Sequence, residues 1–267
     1  LQRPGRAVRR EPGRRHLPAA RLAPDTGGLA AGTAATAPSE PTGPEATHIK
    51  AQERTVREGG KLCDQEKWKR AENPFDAHNR LIAEAAAGTT PKPEDNFRWR
   101  YHGLFYVAPA QDNYMCRLRI PNGILTAAQF AGVADLADLH GGGYSHVTTR
   151  ANLQVREIAP EHAQPFLDGL VDLGLTARGA GADNIRNVTG SPVAGIDAQE
   201  LLDTRPLAKS WHNHILNDRS LFGLPRKFNV AFDGGGVMPV LEETNDIGFQ
   251  AVEVLDGASV PPGIYMR

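Results

Sequence analysis

The most constraining feature of the chain is a switch of apolar period, from two residues to three or four and back, between residues 97 and 178. YMCRLRI, residues 114–120, alternates apolar and polar side chains, the period of a strand with one buried face. Pro121-Asn122-Gly123 closes it as a turn. Thr126 is placed to cap a helix carrying Phe130, Val133, Leu136 and Ala137 on one face. Three glycines at 141–143 break the chain, and residues 144–148 and 152–158 read as two strands. Pro160 opens a second helix with Phe166, Leu170 and Leu173 at helical spacing, and Gly174 stops it. A last short strand is expected over 175–178. The order β-α-β-β-α-β is that of a ferredoxin-like unit, so the fold class is α+β. Many functions share that fold, and function has to come from particular residues.

A second unit is expected from about residue 181. It holds the turn RNVTGSP, a helix from Ala198 to about Asn217, and strands KFNVAF and GFQAVEV separated by three glycines. A new apolar stretch, 263–266, begins just before the chain stops, so this α/β unit is expected to be truncated. Ahead of the first unit, residues 48–95 read as a peripheral helical segment and linker, with Leu62 and Trp68 as anchors and Pro91 and Pro93 extending the chain. Residues 1–47 are rich in Arg, Ala, Pro, Gly and Thr and begin with Leu1. They carry too little apolar surface to offset chain entropy and are expected to be a disordered or non-native extension. The division is thus 1–47, 48–95, 96–180 and 181–267.

Composition limits the function classes. The 30 basic and 31 acidic residues leave a net charge of −1, which favours neither nucleic acid nor an anionic membrane. No apolar run approaches the roughly 20 residues of a membrane span. Residues 1–22 hold seven arginines and one acid, Glu11, but no apolar run follows them as in a secretory signal. Two cysteines, Cys63 and Cys116, are too few for a disulfide scaffold or a four-thiolate cluster, and their number fits a reducing, cytoplasmic setting.

The chemistry-bearing residues are basic and lie in four short motifs: Arg117 and Arg119 in RLRIPNG, Arg150 in VTTRANLQ, Arg186 in DNIRNVTGSP, and Arg226 and Lys227 in LPRKFN. Arg117 and Arg119 are two apart, so on a strand they share a face. Thr148, Arg150, Asn152 and Gln154 alternate in the same way, with Val147, Leu153 and Val155 left to serve the core. Arg186 and Asn187 precede a turn whose backbone N–H groups can meet an anion. Any one motif alone is ordinary surface charge or a capped turn. Two such strands in one sheet make a cationic platform, and guanidinium forks converging on one place suit a small, highly charged anion. The histidines show no metal spacing, and the glycine runs lack the lysine and fingerprint of a phosphate loop.

In this order, RLRIPNG, VTTRANLQ, DNIRNVTGSPVAGID and LPRKFN resemble the siroheme-dependent nitrite and sulfite reductases, over about residues 96–254. The resemblance implies a ferredoxin-like half-domain followed by the start of an α/β siroheme/[4Fe–4S] domain. It implies that Arg117, Arg186 and Lys227 bind the substrate anion beside siroheme. It implies that Arg119, Arg150, Gln154 and Arg226, with Thr148, Asn152 and Asn187 in the same motifs, contact siroheme carboxylates or orient nearby loops. Asn229 stands where sulfite reductases tend to carry lysine, which favours nitrite, since a monoanion needs less positive charge than a dianion. The implied activity is six-electron reduction of nitrite to ammonia, with ferredoxin as donor, a [4Fe–4S] cluster whose four cysteines lie C-terminal to this chain, and a monomeric state. A sulfite reductase is the alternative on the same scaffold. A non-catalytic ferredoxin-like module binding an anion or a protein partner is the alternative of another class.

Overall fold

The computed structural model describes residues 46–107, 112–255 and 261–267, so the expected extension over 1–47 lies almost wholly outside the described residues. Four helices open the described chain: α1 (Ala46–Arg57), α2 (Asp64–Ala71), α3 (His78–Ala86) and α4 (Pro93–Trp99). They are less peripheral than their charge implies. Leu81 and Ala85 of α3 are fully buried in the first hydrophobic core. Lys69 of α2 is buried too, donating to the Leu224 carbonyl at 2.8 Å and pairing with Asp183 at 3.0 Å. Lys69 therefore ties α2 to the far end of the chain. In α4 and the turn after it, Trp99 enters one core while Phe97 and Tyr101 enter the other, so this segment joins the two.

The first sheet holds β1 (Leu104–Val107), β2 (Asn113–Arg117), and, after α5 (Ala127–His140), β3 (Ser145–Thr148) and β4 (Asn152–Ile158). It is antiparallel, in the order β1-β2-β4-β3, with α6 (Ala163–Asp172) following. α5 starts where Thr126 and Gln129 form a reciprocal capping box, two bonds of 3.1 Å. It buries Val133 and Ala137, whereas Phe130, expected on the same face, is 57 % exposed. α6 buries Ala163, Phe166 and Leu170, and Gly174, at φ +68°, ends it.

Two expectations are corrected here. The strand over 175–178 reduces to one bridge, in which Arg119 N donates to the Thr176 carbonyl at 2.8 Å. The edge of β2 is already taken by β1, paired from Leu104↔Cys116 to Val107↔Asn113, and Gly179 N, donating to the Tyr101 carbonyl, turns the chain away. Gly103 allows this crowding at φ +82°, since an added Cβ would lie 2.5 Å from Ala177 Cβ. Val147, expected in the core, is 82 % exposed because β3 is the edge strand.

The second sheet holds β5 (Thr189–Gly190), then, after α7 (Arg205–Asn217), β6 (Val230–Asp233), β7 (Ile247–Val254) and β8 (Gly263–Met266). β5, β6 and β7 are parallel, and the apolar stretch 263–266 adds β8 antiparallel to β7. α7 starts at Arg205 rather than Ala198. Residues 195–200 are instead wound into turns, with Asp197 accepting from Gln199 N and Val237 N, and Glu200 from Gly195 N. Pro206 then sets the first helical turn. This sheet packs on Ile185, Val188, Ile215, Phe222 and Phe232.

Candidate anion and cofactor site

The four motifs, up to 110 residues apart between Arg117 and Lys227, come together through backbone contacts. β2 and β4 are neighbours with Arg117 opposite Gln154. With its amide oxygen assigned to the side facing Arg117, Gln154 accepts from Nε at 3.1 Å and Nη2 at 3.2 Å. The loop carrying Arg186 lies over the far end of this pair. Arg119, 1 % exposed, donates to the carbonyls of Gly179 (3.1 Å), Ile185 (2.6 Å) and Arg186 (3.3 Å). Asn187 clamps the same junction: its Oδ1 accepts from Ile120 N, and its Nδ2 donates to the carbonyls of Ile120, Arg150 and Ala151. Gly190 is required beside the RIPNG turn, because an added Cβ would fall 1.6 Å from Asn122 Oδ1. The fourth motif is attached by a parallel bridge, Ile185↔Phe228, in which Arg186 N donates to the Phe228 carbonyl at 2.7 Å.

The candidate residues now divide. Arg119, Asn152 and Asn187 were expected to contact siroheme carboxylates or orient nearby loops, and their hydrogen bonds are of the loop-orienting kind. Their side chains are buried and committed to backbone groups, Asn152 to the Leu118 carbonyl and its own turn. Arg150 is intermediate: it donates to Asn245 Oδ1, the Asn187 carbonyl and the Val230 carbonyl, while its Nε is buried without a partner. Thr148 Oγ1 accepts from Arg150 N. Arg186 donates to the carbonyls of Ala180 and Ala182, both at 2.7 Å. Arg226 and Lys227 are exposed and, among the described residues, have no hydrogen-bond or ion-pair partner. Asn229 is half-buried, and its backbone N–H donates to Asp246.

Charge accumulates with only partial neutralisation, from Asp183 on Arg186 and Asp246 on Arg150. Burial, and then the Arg117 charge, lower the Arg186 pKa to about 10; Arg150 and Arg100 push the same way. Burial and Arg186 lower Arg119 to about 10 as well. Arg117 is lowered by burial and by Arg156. All three stay cationic at neutral pH, in a place that strains against their charge and would relax on receiving an anion. Arg100 was missed in the sequence. Its guanidinium carbon lies 5.9 Å from the Phe105 ring centre, with that of Arg117 at 4.7 Å from the same ring. No motif marks it; only its place just before β1 could have drawn attention.

A cavity of about 730 Å³ is lined by parts of three of the motifs, among them Asn122, Gly123, Asn152, Gly190 and Ser191, together with Phe130 and Val240. None of the motif arginines lines it, so the candidate site rests on converging charge rather than on cavity size.

Residues 108–173 match the nitrite/sulfite reductase ferredoxin-like half domain, and residues 181–260 match the nitrite and sulphite reductase 4Fe-4S domain. The chain belongs to the nitrite/sulfite reductase family. A ferredoxin–nitrite reductase of Leptolyngbya laminosa is 44 % identical over 157 residues, covering 57 % of this chain and 31 % of its own. An assimilatory ferredoxin-dependent nitrite reductase of Haloferax mediterranei is 31 % identical over 220 residues, covering 74 % of this chain and 38 % of its own. The chain thus spans about a third of the length of the curated relatives it matches. The NirA protein of Mycobacterium tuberculosis shares the fold, with a TM-score of 0.67 at 23 % identity, over 79 % of this chain and 41 % of that one. Among the described residues no helix is long and apolar enough to cross a membrane.

Proposed function

We propose that this chain supplies the anion-binding face of a nitrite reductase, an oxidoreductase that takes nitrite to ammonia. The observation that carries the proposal is the meeting of Arg117, Arg150 and Arg186 on one face with, among the described residues, no carboxylate at ion-pair distance from any of them; Asp183 and Asp246 act on Arg186 and Arg150 only from further off. Such a face suits two ligands at once, a polycarboxylate macrocycle and a small oxyanion. The residues present fit siroheme: Arg100 and Arg150 each keep a buried Nε without a partner, and Arg226 is free at the rim. They do not fit an iron–sulfur cluster. Among the described residues no group of three or more His, Cys, Asp or Glu could hold a metal; Cys63 is exposed, and Cys116 is buried with its thiol pKa pushed above the usual range. The cluster ligands are expected outside this sequence.

Siroheme, when bound, supplies the iron at which nitrite is reduced. The protein's part is charge and protons. Arg117 and Arg186 hold the anion and stabilise the negative charge that grows on oxygen as each N–O bond breaks. Lys227 is the proton donor, because its side chain is exposed and unpaired among the described residues and its neighbour Phe228 bridges to Ile185, next to Arg186. Asn229 leaves one positive charge fewer than a lysine would, which favours nitrite over sulfite. Ferredoxin as donor, a monomeric state and a cytoplasmic setting complete the proposal; the names of the relatives support the first.

The test is the absorption spectrum of siroheme-loaded protein titrated with nitrite and, separately, with sulfite. Bands that shift at lower nitrite than sulfite support the proposal. A preference for sulfite reverses the substrate, and protein that takes up no siroheme removes the cofactor from it.

A further inference from the structure

Behind the arginine face lies a second cationic cavity, of about 300 Å³, between the start of α7, the turn after α6 and the RIPNG loop. Arg119, Lys209, His212, Arg205, Gln129 and Thr176 line it. Arg117, Arg150, Arg186 and Lys227 do not, so it is separate from the proposed nitrite site.

Two of its buried side chains hold unused polar atoms. Arg119, 1 % exposed, spends both terminal nitrogens on carbonyls and leaves Nε without a partner. His212, 4 % exposed, leaves Nδ1 without one. A buried polar atom normally finds a partner in protein, water or ligand. Lys209 is exposed on α7, three residues before His212, so the two are neighbours on the helix surface. Burial first, then the charges of Arg119 and Lys209, lower the His212 pKa to about 4, so its ring is neutral and offers one N–H.

The other lining groups do not cancel this charge. Arg205 is matched by Asp203, which accepts from its Nε and Nη2. Gln129 is spent on the Leu173 carbonyl and the α5 cap, and Thr176 Oγ1 accepts from Arg178 N. None of the described residues lining the cavity is acidic. What remains is a guanidinium N–H, an imidazole N–H and an ammonium. A guanidinium and an ammonium repel a metal cation, so a His-bound metal is disfavoured. An oxyanion instead accepts from all three donors and offsets the charge of the guanidinium and the ammonium.

We propose that this cavity is a binding site for a small oxyanion, either free phosphate or sulfate or the phosphate group of a small metabolite, held by Arg119, His212 and Lys209. The proposal is independent of siroheme and of the identity of the reductase substrate.

The test is an NMR titration of the 267-residue chain with inorganic phosphate at constant ionic strength, following the imidazole resonances of its nine histidines. The His212 signal is assigned as the one missing from His212→Gln. A saturable shift of that signal, with a midpoint weakened about tenfold in Lys209→Met, is the expected result. Lys209 is exposed, so this variant keeps the fold, and unmoved signals from the other histidines will verify that. Parallel titrations with sulfate and with glycerol phosphate separate the two sources: a tighter midpoint for the ester assigns the site to a phosphorylated metabolite, and equal or tighter midpoints for the free ions assign it to them. A His212 signal unmoved up to about 20 mM phosphate would overturn the proposal and leave a cavity filled by water alone. So would an unchanged midpoint in Lys209→Met, or a shift abolished by Arg117→Leu, which would place the effect at the other site.

Discussion

Two regions of the site carry the same charge and hold it differently. In the inner region, where the Arg186 loop lies over the ends of β2 and β4, Arg119, Arg150 and Arg186 have backbone partners and Arg117 faces Gln154. Arg119 donates to three carbonyls, Arg186 to two, and Arg150 to two more and to Asn245. In the outer region, the loop 224–227, Arg226 and Lys227 stand exposed and unpaired among the described residues. The inner cations build the site and fix its geometry before any ligand arrives. The outer ones are free to move to a ligand, and in the proposed function Lys227, unlike Arg226, can give up a proton. Preorganised charge costs no reorganisation when negative charge develops, whereas a proton donor has to be mobile.

The largest expected effect breaks the inner region. Asn187→Ala removes four backbone hydrogen bonds at the point where three motifs meet. At about 1 kcal/mol each this costs about 4 kcal/mol, visible as a fall in the urea midpoint. An unchanged midpoint would mean that the clamp is not what joins the motifs. Acid loads the fold from another side, at His102 beside Phe75 and at His212. Burial lowers His102 to about 4, and His212, beside Arg119, to about 4. Between pH 6.5 and 4 the unfolded chain therefore binds more protons than the folded one, and stability falls as pH falls through that window. For His102 the slope is about 1.4 kcal/mol per pH unit, checked by urea unfolding across the window and lost in a folded His102→Gln variant.

Smaller effects belong to the outer region. Asn229→Lys is expected to shift the preference from nitrite toward sulfite by about tenfold, measured as the ratio of kcat/KM values in siroheme-loaded enzyme, through one added charge. An unchanged ratio would remove Asn229 from the choice of anion. Arg226→Met is expected to change folding stability by no more than about 0.5 kcal/mol, because the side chain holds nothing in the fold. A larger loss in the urea midpoint would place Arg226 with the locked cations.

Local periodicity made much of the fold legible. The alternation in YMCRLRI and NLQVREI marks β2 and β4, Thr126 with Gln129 marks the start of α5, and Gly174 marks the end of α6. Each of these depends on residues within a few positions of one another. The missing last strand did not show, because β1 occupies the edge that Leu175 to Arg178 would need, and strand competition is not written in either segment alone. The four motifs could be found in the sequence, but not the division of labour among them. Arg117 and Arg119 look equivalent two residues apart. Only the carbonyls of Gly179, Ile185 and Arg186, 60 to 67 positions away, make one a peg and leave the other facing the site. Lys69 hides its burial for the same reason, since Asp183 and Leu224 are remote in sequence.

The most direct test of this division is the nitrite-induced change in the siroheme spectrum of Lys227→Met protein, set beside the unsubstituted protein. A free outer cation that handles nitrite, on an inner frame that holds the cofactor, leaves the siroheme bands and the melting temperature intact and moves the nitrite midpoint up by at least about tenfold. A nitrite midpoint that does not move would contradict the account, and so would loss of the siroheme bands, which would make Lys227 part of the frame.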